Sequence, residues 1–343
     1  MTRAIVLRNP FAPIPAPRAE CRATVVIPAR NEADGIGQTL AALIAQRDLD
    51  GRPLDPRSFD VLVYANNCTD ATAGIVRSIA RRHPEHAIYV AVQSLPAKVA
   101  HIGTARRAAM NAAAARFAGA GGDPILCATD ADTTAAPTWL AWILREMQTA
   151  DVVTGRILIE PHGWAALPSH TQRMLHQENA YQFALAQLST LLDPKPHDPW
   201  PRHWQRSGPS LAVRVAAYNA VGGVPPVRAL EDIALYDALA AHGARIRHSL
   251  RVRVTTSARF GFRAPGGFGA RISEWSSLSA PDLPLLVEHP DSTWERLLGG
   301  ACERRAPVPA AEATAALRTL IAHGRRRLDV LPAAEEVDDA ISA

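Results

Sequence analysis

From Ala23 to Thr149 the chain alternates short apolar runs with longer amphipathic stretches, and this alternation restricts its fold more than any other feature. Ala23-Thr24-Val25-Val26-Ile27, Phe59-Asp60-Val61-Leu62-Val63-Tyr64, Ala87-Ile88-Tyr89-Val90-Ala91-Val92 and Pro124-Ile125-Leu126-Cys127-Ala128 have the length and composition of buried strands. Between and after them, Gly35 to Gln46, Asp70 to Arg82, Thr104 to Phe117 and the segment from Pro137 to about Thr149 read as helices. In the second of these, Ile75, Val76 and Ile79 share one side. Apolar strands alternating with helices form a parallel sheet covered on both faces. Ligands of such sheets bind at the carboxyl ends of the strands. Here those ends carry Pro28-Ala29-Arg30-Asn31-Glu32, Asn66-Asn67-Cys68-Thr69-Asp70 and Thr129-Asp130-Ala131-Asp132, so three polar clusters converge on one edge.

Asp130 and Asp132 stand one residue apart after a buried strand. Alternate side chains of a strand share a face, so both carboxylates could address one ion or ligand. Oxygen ligands of this kind suit Mg²⁺ or Mn²⁺, which in turn neutralise phosphates. A solvated turn capping the helix after Pro137 would hold the same two residues, so the pair gains its weight from its place at the sheet edge.

The bulk properties narrow the function. The chain has 343 residues, 48% of them hydrophobic, enough for one large core or two smaller ones. No apolar run approaches the roughly 18–20 residues that span a bilayer. Met1 to Glu20 holds Pro10, Pro13, Pro15 and Pro17 without a continuous apolar stretch, which does not fit a signal peptide, so a cytoplasmic location is the default expectation. Cys21, Cys68, Cys127 and Cys302 lie far apart, against a disulfide framework or a cysteine metal cluster. The formal charge of +4 comes mostly from arginine, with Lys98 and Lys195 the only lysines. Arginine suits phosphate and carboxylate. Nucleic acid is not expected as a partner, because the arginines are scattered and few aromatics lie among them.

The second half is more mixed. Asp151 to Ile159 reads as a strand and Thr171 to Leu192 as a long helix, while Asp193 to Trp204 is too proline-rich for either. Beyond Gly269 the chain is Ala- and Arg-rich, with a helix expected from about Ala310 to Arg327 and a solvated acidic end at Glu335-Glu336-Val337-Asp338-Asp339.

Taken in order, these segments resemble the family 2 glycosyltransferases of the GT-A fold. The resemblance covers roughly Ala23 to Gly269. It rests on Val25 to Glu32, Asn66 to Thr72, Gly103-Thr104-Ala105-Arg106-Arg107 and Asp130-Ala131-Asp132. It continues through Gly208-Pro209-Ser210-Leu211-Ala212-Val213-Arg214, Val221-Gly222-Gly223, Leu230-Glu231-Asp232 and Thr256-Ser257-Ala258-Arg259. It implies a Rossmann-like α/β domain: a mostly parallel central sheet with helices on both faces, followed by a helical C-terminal extension. The implied organisation is a proline-rich arm over 1–21, a nucleotide-sugar-binding half over 22–155, an acceptor-binding half over 156–269 and the extension over 270–343.

The resemblance also implies an activity: hexosyl transfer from a nucleoside-diphosphate sugar to an acceptor hydroxyl, mostly with inversion. Pro28, Ala29, Arg30 and Glu32 would meet base and ribose. Asn66 occupies a position where the family often has a carboxylate that accepts the imide proton of the base; an amide oxygen can accept it too. Asp70 reads as the cap of the helix that follows it. Arg106 and Arg107, at the start of a helix, need an anion there, either the diphosphate or Asp130. The lysine frequent after the glycine of this segment is here Thr104. Asp132, with Asp130, would hold Mg²⁺ or Mn²⁺, and Asp130 would also contact ribose or a metal-bound water. Asp232 is expected as the general base and Glu231 as its supporting neighbour or an acceptor contact. Arg259 and Arg263, near Gly266-Gly267, resemble a mobile segment that closes over the diphosphate. Trp200 and Trp204 could stack on an acceptor or anchor their own loop, and a histidine could complete the metal shell.

Rival readings differ in what they require. A nucleotidyltransferase needs a glycine-rich, Arg-bearing loop after its first strand, and no glycine occurs here before Gly35. Retaining transfer on the same fold, as in glucosyl-phosphoglycerate synthases, needs no aspartate base under the acceptor. A non-catalytic nucleotide-sugar-binding module has no physical need for four carboxylates. Base, sugar and acceptor stay open, and the tail after Gly269 could dock on the body or on a second copy.

Overall fold

The computed structural model describes residues 11, 14–118, 122–206, 208–257, 266–278, 283–299, 303 and 305–328. The chain forms two compact units, the first from Met1–Glu160, Gln205–Ser257 and Phe262–Gly267, the second from Pro161–Trp204, Ala258–Gly261 and Phe268–Ala343.

The first unit begins with the alternation expected from the sequence: β1 (Ala23–Ala29), α1 (Ile36–Ile44), β2 (Phe59–Asn66), α2 (Thr72–Arg82), β3 (Ala87–Gln93), α3 (Ile102–Arg116) and β4 (Ile125–Ala128). A short strand β5 (Thr133–Ala135), helix α4 (Trp139–Glu146) and strand β6 (Val152–Ile159) follow. The chain then enters the second unit as α5 (Pro161–Ala166) and α6 (Ser169–Leu192). It returns as β7 (Leu211–Arg214), α7 (Val215–Ala220), α8 (Glu231–Ala241) and β8 (Ile246–Thr256).

These strands make one eight-stranded sheet in the order β3-β2-β1-β4-β7-β6-β8-β5. Pairing is parallel from β3 through β4 and between β6 and β8. It is antiparallel where β7 meets β4 and β6 and where β5 meets β8. The strands joined by single helices, β1 to β4, run parallel, whereas β6 and β7, joined through α5 and α6, pair antiparallel. Every residue of β1 and β2 is buried, which is why both read as largely apolar runs, with Thr24, Asp60 and Asn66 their polar residues. Successive side chains serve opposite faces. Val25, Ile27, Val61 and Val63 pack with Leu40 and Ile143 on one side. Val26, Leu62 and Tyr64 pack with Met110, Leu126 and Leu235 on the other. Each fully buried Leu or Val contributes about 1.5–3 kcal/mol of transfer free energy, before the entropy of ordering it.

The strand β8 escapes a reading by apolar runs, because Arg247, Arg251 and Arg253 interrupt it. Its pairing with β6 shifts register between Gly155 and Arg156. Gly155 is needed there: a Cβ would lie 2.2 Å from Ser210 Oγ and 2.7 Å from the Val252 carbonyl oxygen.

Within the second unit α6 packs against α11 (Ala310–Leu328), after α9 (Phe268–Ser276), β9 (Leu286–Val287), α10 (Pro290–Leu297) and β10 (Val308–Pro309). Tyr181, Leu188, Ala313, Leu317 and Ile321 form its core. Trp204 meets Phe183 edge-on with ring centroids 4.7 Å apart, so it anchors its own segment.

Candidate active site

The loops leaving β1 and β2 are tied to each other. Asn31 and Asn67 both adopt left-handed backbone, with φ of 52°, a conformation asparagine tolerates better than most residues. Asn31 Oδ1 accepts from the Thr69 amide at 2.8 Å, and Asn67 holds Leu95 through a pair of bonds at 2.9 and 3.1 Å. Asp70 accepts from the amides of Thr72 and Ala33, each at 3.0 Å, so it caps the start of α2 and joins it to the β1 loop. Pro28 and Ala29 are buried at the end of β1, whereas Arg30 is exposed and donates to the Ala100 carbonyl at 3.2 Å. The Glu32 amide donates to Thr72 Oγ1 at 2.8 Å. Asn66 closes β2 with 4% of its surface exposed.

The Asp-x-Asp pair is not on a strand. The strand β4 ends at Ala128, and Asp130 to Asp132 form a turn closed by the Thr133 amide donating to the Asp130 carbonyl at 3.2 Å. The alternation argument from strand geometry therefore does not apply; the turn sets the two carboxylates. Ser257, at the end of β8, donates to Asp132 Oδ2 at 2.6 Å. Asp130 Oδ1 accepts from Arg106 Nη2 at 2.7 Å. Asp130 Oδ2 and Asp132 Oδ1 have no hydrogen-bond partner among the described residues.

Arg106 is the centre of the cluster. It lies in the first turns of α3 with 3% of its surface exposed, and its Nε donates to Glu231 Oε1 at 2.8 Å. Burial alone would lower its pKa, but the carboxylates of Asp130, Glu231 and Asp232 more than offset this and hold the guanidinium charged. Its buried Nη1 has no hydrogen-bond partner among the described residues. Of the two anions expected for Arg106, the diphosphate or Asp130, the structure shows it on Asp130, with Glu231 as a second partner. Arg107 turns away, donating to the Val224 carbonyl.

Two glycines permit this packing. A Cβ on Gly103 would fall 1.9 Å from the Val227 carbonyl oxygen, so the loop before α8 can rest on α3 only at a glycine. A Cβ on Gly208 would fall 2.8 Å from Arg106 Nη2 and 3.1 Å from Asp232 Oδ2. The amide of Gly208 donates to Asp232 Oδ2 at 2.5 Å, and Asp232 Oδ1 accepts from the Ile233 amide at 2.9 Å. Leu230, just ahead, is left-handed with φ of 58°. A bulky side chain pays about 1–2 kcal/mol there, and the turn it makes sends Glu231 inward to Arg106 while Asp232 stays half-buried.

Asp130 keeps 31% of its side chain exposed. Burial, with the charges of Asp132 and Asp232, nevertheless lifts its carboxyl to about 6, against the pull of Arg106. The His101 ring caps α3 by accepting from the Thr104 amide at 3.3 Å, and burial and Arg228 lower its pKa.

The structure thus brings Arg106, Asp130, Glu231 and Asp232 into one cluster, with Asp132 two residues from Asp130, and leaves Pro28, Ala29, Arg30, Glu32 and Asn66 on the neighbouring strand ends. Arg259 and Arg263 lie outside the described residues. The roles of the Gly208 amide and of Ser257 escape sequence reading, since one acts through its backbone and the other through a contact between distant segments. Among the described residues no group of three His, Cys, Asp or Glu could hold a metal ion, so no histidine joins the two aspartates. A pair of carboxylates does suit Mg²⁺ or Mn²⁺, which complete their shells with substrate phosphate oxygens and water.

Comparison with known proteins identifies the family. The model of glycosyl transferase family 2 matches residues 24–205. A mannosyltransferase from Pyrobaculum calidifontis, solved with GDP-Man and Mn²⁺, aligns over 96% of this chain and 82% of its own, at 18% identity and a TM-score of 0.50. TarS from S. aureus, solved with UDP-GlcNAc, aligns over 90% and 73% at 15% identity and a TM-score of 0.46. No curated protein sequence matches the chain. Among the described residues no helix is long and apolar enough to cross a membrane. The matched segment covers more than half of the chain and contains β1 to β6 with the Asp130–Asp132 turn, so the protein belongs to glycosyl transferase family 2 and is a glycosyltransferase.

Proposed function

We propose that this enzyme transfers a sugar from a nucleoside-diphosphate sugar to an acceptor hydroxyl with inversion, using Asp232 as the general base. The observation that carries this reading is the Arg106 bridge. One guanidinium binds Asp130 at 2.7 Å and Glu231 at 2.8 Å, and so sets the carboxylates after β4 beside those that open α8.

In this reading the strand ends of β1, β2 and β4 take the nucleotide and α8 faces the acceptor. Asp130 and Asp132 would hold a divalent cation, which when bound supplies Lewis-acid neutralisation of the departing diphosphate. Asp232 accepts the proton of the acceptor hydroxyl. The acceptor hydroxyl oxygen forms the new bond to the anomeric carbon as the bond to the diphosphate oxygen breaks, and the electron pair leaves with the nucleotide. Two backbone amides hold the Asp232 carboxylate in place. Glu231 is committed to Arg106 and positions its neighbour.

The test is product stereochemistry together with Asp232→Asn. Inverted product from the wild type and loss of transfer in the variant, with nucleotide binding kept, support the reading. Retained configuration, or a variant within tenfold of wild type, would sink it.

A further inference from the structure

Gly103, Arg107 and Asn111 stand at successive four-residue steps of α3, so they form one stripe along the helix. The loop between α7 and α8 is laid on this stripe in the opposite direction. Gly223 lies over Asn111, Val224 over Arg107 and Val227 over Gly103. The stripe is about 12 Å long, and the four residue steps from Gly223 to Val227 reach at most about 14 Å, enough to cover it.

Both main-chain groups of Val224, which is fully buried, are held by side chains. Its amide donates to Tyr218 Oη at 3.3 Å, and its carbonyl accepts from Arg107 Nη1. Tyr218 Oη in turn donates to Asn111 Oδ1 at 2.6 Å, so two residues of α3, one turn apart, fix the loop by separate routes. Burial pushes the Tyr218 hydroxyl up to about 12, which keeps it a donor at neutral pH. Gly223 makes the arrangement possible. Its φ is 77°, and a Cβ there would lie 2.8 Å from both Asn111 Oδ1 and Tyr218 Oη.

Beyond Val224 the loop has little freedom. Pro225 and Pro226 fix their own φ, and the Val227 amide donates to the Pro225 carbonyl at 2.9 Å. Arg228, Ala229 and the left-handed Leu230 then lead directly to Glu231 and Asp232. A shift at Val224 therefore passes to the first turn of α8. The adjacent arginines of α3 have separate partners: Arg106 binds the side chains of Asp130 and Glu231, and Arg107 binds the backbone of the loop that opens α8.

We infer that Arg107, Asn111 and Tyr218 are positioning residues that set Asp232 for proton transfer by fixing Val224 on α3. This rests on the reading of Asp232 as the base and goes beyond it by assigning three side chains outside the carboxylate cluster.

The amide of Gly208, which donates to Asp232 Oδ2 from a different segment, reports where Asp232 sits. The test compares Arg107→Met, Arg107→Lys and Tyr218→Phe with wild type, first by amide hydrogen exchange of the ligand-free full chain. Exchange at Gly208 should quicken about tenfold or more in Arg107→Met and Tyr218→Phe, while the amides of β1 and β2 keep their wild-type rates. Arg107→Lys retains a donor and should stay closer to wild type. Tyr218→Phe removes a single oxygen and keeps the packing of the core, so it carries the test if Arg107→Met does not fold. The second readout is sugar transfer. In Arg107→Met and Tyr218→Phe, kcat should fall about ten- to a hundredfold, as misplacement of a reacting group does, with the donor KM within a few-fold. Placed on Asp232→Asn, the same substitutions should cause no further fall, because the base they set is already gone. Unchanged exchange at Gly208 overturns the inference, and so does equal quickening throughout β1 and β2, which would show a purely structural role. A full further fall in kcat on Asp232→Asn overturns it too. If Asp232→Asn transfers as well as wild type, the base assignment fails and this inference with it. If Asp232→Asn is inactive while Arg107→Met and Tyr218→Phe match wild type, this inference fails alone.

Discussion

Arg106 Nε donates to Glu231 Oε1 at 2.8 Å, joining α3 to α8 across 125 residues of sequence. Both side chains are nearly inaccessible, at 4% and 3% exposure. Removing one partner of a buried pair strands the other charge and costs about 3–5 kcal/mol. Arg106→Met should therefore lower unfolding free energy by about that much and abolish transfer, because Asp130 loses its partner in the same step. Arg106→Lys keeps the charge without the fork that spans two carboxylates, and should fold but transfer poorly. Adding Glu231→Gln to Arg106→Met should recover stability and leave transfer absent. Restored activity in that double variant would show that the bridge positions nothing.

Asp232 accepts from the Gly208 amide at 2.5 Å and the Ile233 amide at 2.9 Å, and an asparagine keeps one of these bonds while losing the basicity. Asp232→Asn should lower kcat about 10²–10⁴-fold, the usual contribution of a positioned base. The KM for the donor should stay within a few-fold, since the donor side is untouched. A raised KM with kcat unchanged would assign Asp232 to binding instead.

Ser257 touches Asp132 but lies outside the carboxylate cluster, donating to Oδ2 at 2.6 Å. Groups that orient metal ligands typically contribute 10–100-fold to metal affinity. Ser257→Ala should raise the Mn²⁺ concentration for half-maximal activity by about tenfold, with kcat at saturating Mn²⁺ little changed. Unaltered Mn²⁺ dependence would separate Asp132 from the metal.

What the sequence disclosed follows from where the information resides. The strands β1, β2 and β4 are legible because every residue in each is buried. The same logic fails at β8, whose arginines lie on exposed or half-buried positions and mask its periodicity. Arg106 announces itself as a cation at a helix start that needs an anion. Its second anion, Glu231, depends on a tertiary contact that local pattern does not encode. The Asp130–Asp132 pair is legible as a pair, but its turn geometry is set by the chain leaving β4 for β5.

Asp130 gives the site a pH dependence of a definite sign. Its carboxyl titrates near 6 in the fold, raised by burial and by Asp132, from 3.8 in the unfolded chain. Between those values the folded protein binds the proton and the unfolded chain does not. This group's contribution is therefore most favourable at low pH and is lost as pH rises through about 6. In metal-free buffer, the unfolding free energy of Asp130→Asn relative to wild type should rise by about 1–3 kcal/mol between pH 4 and pH 7. Denaturant titrations of both proteins at several pH values measure it. An opposite slope would mean that Arg106 dominates and stabilises the carboxylate.

Gly103 controls the approach of the loop that leads to Glu231 and Asp232. A Cβ at this position would sit 1.9 Å from the Val227 carbonyl oxygen, a backbone atom that cannot swing aside as a side chain does. Gly103→Ala must push the loop away from α3, and Leu230 to Asp232 move with it. Overpacking of this kind costs about 1–3 kcal/mol, and displacement of Asp232 should lower kcat more than the lost stability accounts for. Gly74 in α2 supplies the contrast, since a Cβ there meets nothing within 4 Å. Gly74→Ala should stabilise the protein by about 0.5–1 kcal/mol through helix propensity alone and leave kcat unchanged. If both substitutions behave alike, the contact between Val227 and α3 does not position the base.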